Sequence, residues 1–318
     1  MSALASQDTQ FGYDVRCGLG RPGQKQLPPS YLYDELGSAL FEAITRLPEY
    51  GLTRADERLL ARYAGEIARS VPPGTLVAEL GSGTGTKTRH VLEAMGRRSP
   101  VDYYPIDVST SALRACAAEL ETVARVEPVN ASYLEGLHRA TRSRAPGQKA
   151  LLLFLGSTIG NFDREPAAKF LSDVRSLLEP GDALLLGADL VKPVPRMIAA
   201  YDDSIGVTAA FNKNMLARIN RELSADFDVR RFTHEVRWDR EHRRIEMHLR
   251  SAGAQRVSIP AIDLTISFED GETIWTESSH KFDAAELRSM ASDAGFAQET
   301  CWVDREWSFA ECLWNVRG

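Results

Sequence analysis

Residues 77–87 carry the densest chemical information in the chain: Val77-Ala78-Glu79-Leu80-Gly81-Ser82-Gly83-Thr84-Gly85-Thr86-Lys87. An acid and then glycines at alternate positions follow a short apolar run and precede a helical stretch. That is the pattern of a strand entering a tight turn whose backbone passes close to a ligand. Only glycine supplies both the φ freedom and the missing Cβ that such a turn needs. Farther on, Tyr103-Tyr104-Pro105-Ile106-Asp107 is a second apolar run ending in an acid. An acid at that strand end is placed to face the two ribose hydroxyls of a nucleoside. A glycine triplet alone describes many ordinary turns; with the second strand and its acid it predicts a nucleoside-binding α/β domain.

Dinucleotide enzymes typically carry G-x-G-x-x-G, which sets a pyrophosphate against a helix N-terminus. Here the spacing is G-x-G-x-G, and Glu79 precedes it. A carboxylate in that turn would repel a pyrophosphate but suits a ligand with an ammonium group. S-adenosylmethionine (SAM) has a ribose, an ammonium and a sulfonium, and no phosphate. The pattern resembles the first motif of the class I methyltransferases, which implies SAM as cofactor.

The bulk properties narrow the remaining classes. The chain has 318 residues, 43% hydrophobic and 26% charged, with a net charge of −6, the profile of an ordinary globular protein. Arg230-Arg231 and Arg243-Arg244 are isolated basic pairs, read as solvated faces. Without a basic groove to track phosphates, a nucleic-acid partner is not expected. Cys17, Cys116, Cys301 and Cys312 are scattered without a CxxC pair and are expected as reduced thiols. The histidines form no metal-spaced pair, so no metal is expected. The sequence has no long apolar span and no signal-peptide pattern at its start, so no membrane partner is expected and a cytoplasmic location is. The protein is expected to be monomeric.

These residues need a scaffold. Residues 1–10 are small and polar and are expected to fray; residues 22–30 form a proline-rich loop. Helical patterns cover Ser30 to Phe41 and Arg54 to Ala68, the second with Thr53 as N-cap. Strands are expected at 76–80, 101–106, 150–155 and 183–188, alternating with helices at 86–96, 109–123, 165–178 and 195–201. A short run near 126–130 is either a further strand or an extended loop. Such alternation predicts a parallel sheet covered by helices. The pattern then changes to a helix within 204–228 and strands at 231–238, 243–251, 256–268 and 272–279. A helix over Asp283–Ala294, stopped at Gly295, leads to a terminal hairpin near 297–304 and 308–316. The fold class expected is therefore α/β, a class I (Rossmann-like) methyltransferase sheet with an inserted α+β substrate-binding domain. Residues 1–195 and 283–318 are assigned to the methyltransferase domain and 196–282 to the inserted cap, with ligands at the carboxyl ends of the parallel strands.

Five further motifs, in order, carry a more specific resemblance. They are Arg46-Leu47-Pro48-Glu49-Tyr50-Gly51-Leu52-Thr53-Arg54, Gly156-Ser157-Thr158-Ile159-Gly160-Asn161, Tyr201-Asp202-Asp203, residues 207–227 (Val207-Thr208-Ala209-Ala210-Phe211-Asn212 through Asp226-Phe227), and Thr276-Glu277-Ser278-Ser279-His280-Lys281-Phe282. Together they resemble the histidine Nα-methyltransferases of ergothioneine biosynthesis, from about residue 13 to the terminus. The resemblance implies SAM-dependent trimethylation of the α-amine of L-histidine to hercynine. It also implies that Asn161 and Tyr201 grip the substrate carboxylate and that Tyr50 lies beside the amino end. Glu277 and Ser279 would hold the imidazole, with Tyr33, in Tyr31-Leu32-Tyr33-Asp34, and Met247 completing the substrate set. Gly81, Gly83, Lys87 and Asp107, with Ser132 and Tyr133, would contact SAM.

The residue chemistry agrees with these roles. An asparagine amide after the apolar strand Leu151-Leu152-Leu153-Phe154-Leu155 offers donor and acceptor to a zwitterion, and Gly156 and Gly160 allow close approach to a ligand. Glu277 and Ser279 are two apart, so on a strand they face one way and suit the two imidazole nitrogens. Taken alone, the same residues describe a turn, a polar strand face and amphipathic core tyrosines. No strong base is required: the transfer needs a neutral amine, and an α-amine loses its proton near about pH 8–9, in keeping with the roughly 7.7–8 of a chain terminus. Positioning then carries most of the rate gain. Two departures stand out. The family often has an acid followed by an aromatic where Ser132-Tyr133 stands, which leaves stacking from the tyrosine, and Gly51 replaces what is often a second tyrosine. The alternatives are a SAM-dependent N-methyltransferase of another free amino acid, or a non-catalytic SAM-binding partner protein.

Overall fold

The computed structural model describes residues 10–317, so the fraying expected of residues 1–9 lies outside the described residues. Gln10 itself is ordered, because it opens the helix Gln10–Gly20. The chain folds into two compact units: one comprises the segment up to Tyr50 together with Pro193–Ser279, the other Gly51–Lys192 together with the chain from His280 onward.

The second unit, here the sheet unit, is built on strands whose residues are buried without alternation. Leu76–Leu80, Ala150–Phe154 and Ala183–Asp189 are buried at every position, as strands covered on both faces must be. In spatial order the sheet runs Phe296–Asp304, Phe309–Val316, Ala183–Asp189, Ala150–Phe154, Leu76–Leu80, Asp102–Asp107 and Arg125–Val126, with Val129–Asn130 also pairing Asp102–Asp107. The pairings are parallel except at the terminal hairpin, where Phe309–Val316 runs antiparallel to both neighbours. This is the class I methyltransferase sheet that the strand and helix alternation predicts. The run near 126–130 resolves into two short strands separated by Glu127 and Pro128.

Several local expectations change. The helix Gly51–Arg69 begins two residues before Thr53, which lies inside it rather than capping it. Gly51 fits because a Cβ there would come within 2.2 Å of the Trp307 ring; no larger side chain fits against that indole. The helix Tyr133–Arg142 was not anticipated, since its buried residues are Gly136, Leu137, Ala140 and Thr141 and only one is a large apolar group. Cys301 and Cys312 are disulfide-bonded, not reduced. They are directly opposite in the antiparallel register of the hairpin, a proximity that their separation in sequence does not reveal. Cys17 and Cys116 remain free thiols.

The first unit, here the cap unit, contains more of the chain than the inserted segment expected at 196–282. Residues up to Tyr50 belong to it because Lys25–Gln26 pairs in parallel with Thr273–His280, and because Asp34 binds Arg221 and Asn214 of the helix Val207–Leu223. Its sheet has the order Lys25–Gln26, Thr273–His280, Arg244–Ser251, Phe232–Asp239. The last two form the hairpin expected around Trp238 and Ile245. The strand expected over 256–268 is broken by Pro260, which cannot donate to a ladder. It becomes two antiparallel strands, Gln255–Ile259 and Leu264–Phe268. The helix expected from Ser30 starts at Glu35 instead, where the Asp34 carboxylate accepts the Gly37 N–H as N-cap at 2.7 Å. Arg244 is buried rather than solvated, with its guanidinium 4.4 Å from the Trp275 ring centre and paired with Glu246.

Candidate active site

In the sheet unit, the expected cofactor residues gather at the carboxyl edge of the parallel strands. Gly81, Gly83 and Gly85 all have positive φ, of 70°, 53° and 73°, so the turn takes the left-handed path open to glycine. A Cβ on Gly83 would meet nothing within 4 Å, whereas one on Gly85 would lie 2.7 Å from the Cys116 sulfur and from Leu120. The second glycine leaves open space for a ligand and the third is fixed by packing. The Gly83 N–H donates to Asp107 Oδ2 at 3.1 Å, and the Ser109 N–H donates to Oδ1 at 2.8 Å. Each carboxylate oxygen therefore keeps a further lone pair, which fits a ribose diol. Burial raises the Asp107 acid, against the lowering effect of the backbone N–H bonds.

Glu79 does not present its charge to this turn. It is 1% exposed and accepts hydrogen bonds from the Thr88 hydroxyl at 2.8 Å and the Tyr103 hydroxyl at 2.5 Å. Burial pushes it up to about 7 despite those bonds. Its part in the motif is thus to brace the strand, and discrimination against pyrophosphate does not come from a carboxylate at the surface of the loop. Tyr133 packs edge-on against Phe154 and Phe170, with ring centres 5.7 and 6.0 Å away. Its hydroxyl would be 3.3 Å from a Cβ on Gly81, and burial pushes it up to about 12. Ser132 is exposed at the N-cap position of the helix and makes no capping bond through its side chain.

Asn161 ends the 3-10 turn Thr158–Asn161, on the same sheet edge as Asp107. Ser157 before it is held at φ 60°, and its hydroxyl accepts the Asp189 N–H at 2.9 Å. The Asn161 amide is half-buried and makes no hydrogen bond among the described residues. Gly160 serves packing rather than a ligand, because a Cβ there would be 2.9 Å from the His280 carbonyl.

In the cap unit, four of the expected substrate residues are linked. The Tyr33 ring lies 5.4 Å from Phe41, Phe41 lies 6.3 Å from Tyr50, and Tyr50 lies 6.0 Å from Tyr201. The Tyr201 hydroxyl is 2.7 Å from the Ser279 hydroxyl. Glu277 is buried two residues from Ser279 on the strand Thr273–His280. Met247 is buried on the strand Arg244–Ser251, where its carbonyl accepts the Thr276 hydroxyl at 3.0 Å.

Asn212, within the motif at 207–227, is a further linking residue, and an isolated asparagine on a helix carries no signal of that role in the sequence. Its Oδ1 accepts the Thr276 hydroxyl at 2.6 Å. Its Nδ2 donates to the His248 carbonyl at 3.1 Å and to His234 Nδ1 at 2.9 Å. His234 Nε2 then donates to the Tyr201 carbonyl at 2.8 Å, the tautomer that those two partners require. Burial lowers the His234 pKa, in keeping with a neutral ring. One buried amide thus ties the Val207–Leu223 helix to the strand that carries Glu277 and Ser279 and to the segment that carries Tyr201.

Comparison with known proteins finds relatives along nearly the whole chain. A family described as "Histidine-specific methyltransferase, SAM-dependent" matches residues 11–316. The chain is 45% identical to the histidine N-alpha-methyltransferase of Mycobacterium tuberculosis, over 94% of this chain and 93% of that one. It is 43% identical to the same-named protein of Mycolicibacterium smegmatis with the same coverage. Similarity extends to ergothioneine biosynthesis protein 1 of Neurospora crassa, at 31% identity over 89% of this chain and 32% of that longer one. The chain belongs to the SAM-dependent, histidine-specific methyltransferase family.

Proposed function

We propose that this protein methylates the α-amine of L-histidine three times, giving hercynine as a step toward ergothioneine. The observation that carries the reading is the buried pair Glu277 and Ser279, two apart on one strand, with the Tyr201 hydroxyl bonded to Ser279. Glu277 accepts the imidazole N–H, and Ser279 donates to the other ring nitrogen. With the Ser279 O–H given to the ring, Tyr201 donates to Ser279 and orients it, in place of the carboxylate contact that the family likeness implies for Tyr201. Tyr33, Tyr50 and Met247 line the amino acid, and Asn161 keeps the carboxylate role that the family likeness gives it. Asp107 holds the cofactor ribose through the lone pairs left by the Gly83 and Ser109 N–H groups, with Gly81, Gly83, Lys87, Ser132 and Tyr133 around it.

SAM, when bound, supplies an electrophilic methyl group on a sulfonium. The protein's task is to hold a neutral amine in line with it. In each transfer the carbon–sulfur bond breaks as the nitrogen–carbon bond forms, and the nitrogen gives up one proton per methyl gained. Orientation of this kind replaces a strong base as the source of rate. Incubation of the purified protein with SAM and a panel of free amino acids, followed by mass spectrometry, tests the reading. The expected result is histidine carrying one, two and then three added methyl groups. Methylation of tryptophan or tyrosine with histidine untouched would overturn the substrate, and absence of any turnover would leave only a SAM-binding protein.

A further inference from the structure

Behind the cofactor turn, the sheet unit gathers ionisable side chains from separate segments, three buried carboxylates and a half-buried lysine. Asp56 comes from the helix Gly51–Arg69, Glu79 from the strand Leu76–Leu80, Lys87 from the turn after the glycines, and Glu311 from the strand Phe309–Val316. Asp56 and Glu311 are 0% and 1% exposed. The bonds of Glu79 to Thr88 and Tyr103 are given above. Asp56 Oδ2 accepts from the Lys87 ammonium and, at 2.9 Å, from the Gly156 N–H. Asp56 Oδ1 and both oxygens of Glu311 receive no N–H or O–H from any described residue. Yet Glu311 faces Asp56 at hydrogen-bonding range. Its carboxyl lies over Gly187, where a Cβ would be 2.6 Å from Glu311 Oε1 and 3.2 Å from the Gly156 nitrogen.

Two buried carboxylates side by side, both ionised, would leave three orphaned acceptors and a strong repulsion. One proton on Glu311 converts the contact into a hydrogen bond. Burial first, and then the charge of Asp56, hold the Glu311 acid well above the usual carboxylate range against the opposing charge of Lys87. Burial alone would lower Lys87, but Asp56 outweighs it and keeps the ammonium charged.

We propose that Glu311 works as a neutral acid donating to Asp56, and that Asp56 and Glu311 are positioning residues that aim the Lys87 ammonium at the carboxylate of SAM. The inference rests on the reading of Lys87 as a cofactor contact. With Glu311 neutral, Asp56 and Lys87 form a single ion pair, and the ammonium keeps further N–H groups to offer. Its nitrogen lies where a Cβ on Gly156 would be 3.1 Å away, just past the strand Ala150–Phe154 and on the sheet edge that carries Asp107. With Glu311 ionised, a second carboxylate would draw the ammonium inward and cancel its field. The charged and titratable groups facing Glu311 are Asp56, Lys87 and Glu79; all three are common to wild type and a Glu311 variant, so a comparison isolates Glu311.

The test is calorimetry with S-adenosylhomocysteine and with 5′-methylthioadenosine, which has the same nucleoside but no amino-acid carboxylate. Lys87→Met is expected to weaken S-adenosylhomocysteine about tenfold and methylthioadenosine less than about twofold. Glu311→Gln keeps the shape and the donor but cannot ionise. It is expected to bind S-adenosylhomocysteine within about twofold of wild type at neutral pH. Glu311→Ala should lose S-adenosylhomocysteine affinity and retain methylthioadenosine, which also reports that the nucleoside site is folded. If Glu311→Gln loses S-adenosylhomocysteine affinity as Glu311→Ala does, or Glu311→Ala binds S-adenosylhomocysteine as wild type does, the proposal is overturned. If Lys87→Met leaves S-adenosylhomocysteine unchanged, the Lys87 assignment itself falls, which is a distinct result.

Discussion

The two units build their candidate sites from different material. The sheet unit uses backbone: three left-handed glycines, the ends of parallel strands, and a carboxylate fixed by two N–H groups. The cap unit uses side chains, a file of aromatic rings from Tyr33 to Tyr201 ending in paired hydroxyls. A site made of backbone is written in one short window of sequence, because the constraint falls on consecutive φ values. The proposed substrate residues of the cap unit, at 33, 50, 201, 247, 277 and 279, are scattered in sequence, and only the fold brings such positions into one unit. The first kind is robust to side-chain change and sensitive to any added Cβ; the second is the reverse.

Substitutions can break that contrast or sharpen it. The largest effect is expected from Gly85→Ala, whose Cβ would lie 2.7 Å from Cys116 and Leu120 at a φ of +73°. Overpacking and left-handed strain together should destabilise the protein by about 2–4 kcal/mol, read by thermal denaturation. Gly83→Ala meets open space and should cost only the strain, about 1–2 kcal/mol, while lowering S-adenosylhomocysteine affinity. Equal losses of stability in the two variants would remove the distinction between a packing glycine and a ligand glycine.

Next in size is Glu277→Ala. Losing a charge-assisted hydrogen bond of about 1.5–3 kcal/mol should raise KM for histidine roughly 10- to 150-fold and leave S-adenosylhomocysteine affinity unaltered. It should also relax discrimination against tryptophan, since a buried acceptor demanding an N–H is gone. Unchanged histidine kinetics would place the imidazole elsewhere. Asp107→Ala is the mirror case: calorimetry should find weaker S-adenosylhomocysteine by a comparable factor, about 1.5–3 kcal/mol per lost bond. Ser279→Ala should act on histidine KM in the same direction as Glu277→Ala but by only about 0.5–1.5 kcal/mol.

The smallest effect concerns the frame of the cap unit. Burial would raise Asp34, but the Gly37 N–H, Arg221 and Asn214 bonds outweigh it and hold it below the usual range. A depressed folded-state pKa gives stability that is full above the unfolded value near about 3.9 and is lost as pH falls through the folded value. Asp34→Ala should therefore cost about 1 kcal/mol at neutral pH, and urea unfolding should find that deficit shrinking toward acid pH. A deficit that did not change with pH would mean that the aspartate acts through packing alone.

The sequence disclosed the sheet unit well for a physical reason. Strands buried on both faces read as continuous apolar runs, and Leu151 to Phe154 or Leu184 to Leu186 admit little else. The helix Gln10–Gly20 is hard to read although Phe11, Val15 and Leu19 are buried at a spacing of four, because Gly12, Gly18 and Gly20 within it lower its helical propensity. The assignment of residues up to Tyr50 to the cap unit was out of reach, since it depends on a parallel strand pair and an aspartate bonded to a distant helix. The Asp56 and Glu311 contact was equally hidden: it depends on the register of Phe309–Val316 against Ala183–Asp189, where Glu311 lies opposite Gly187.

The parallel pairing of Lys25–Gln26 with Thr273–His280 also bears on how the polypeptide is made. A ribosome delivers residue 25 long before residue 273, and a strand cannot pair with one that has not been synthesised. Throughout that interval the segment up to Tyr50 has no sheet to join, and its Phe11, Leu32 and Ile44, buried in the finished protein, are open to solvent or to other proteins. Closing so long a loop makes this contact late and slow relative to the local hairpins. The nascent chain therefore passes through a period of adhesive exposure that ends only when the strand bearing Glu277 has emerged.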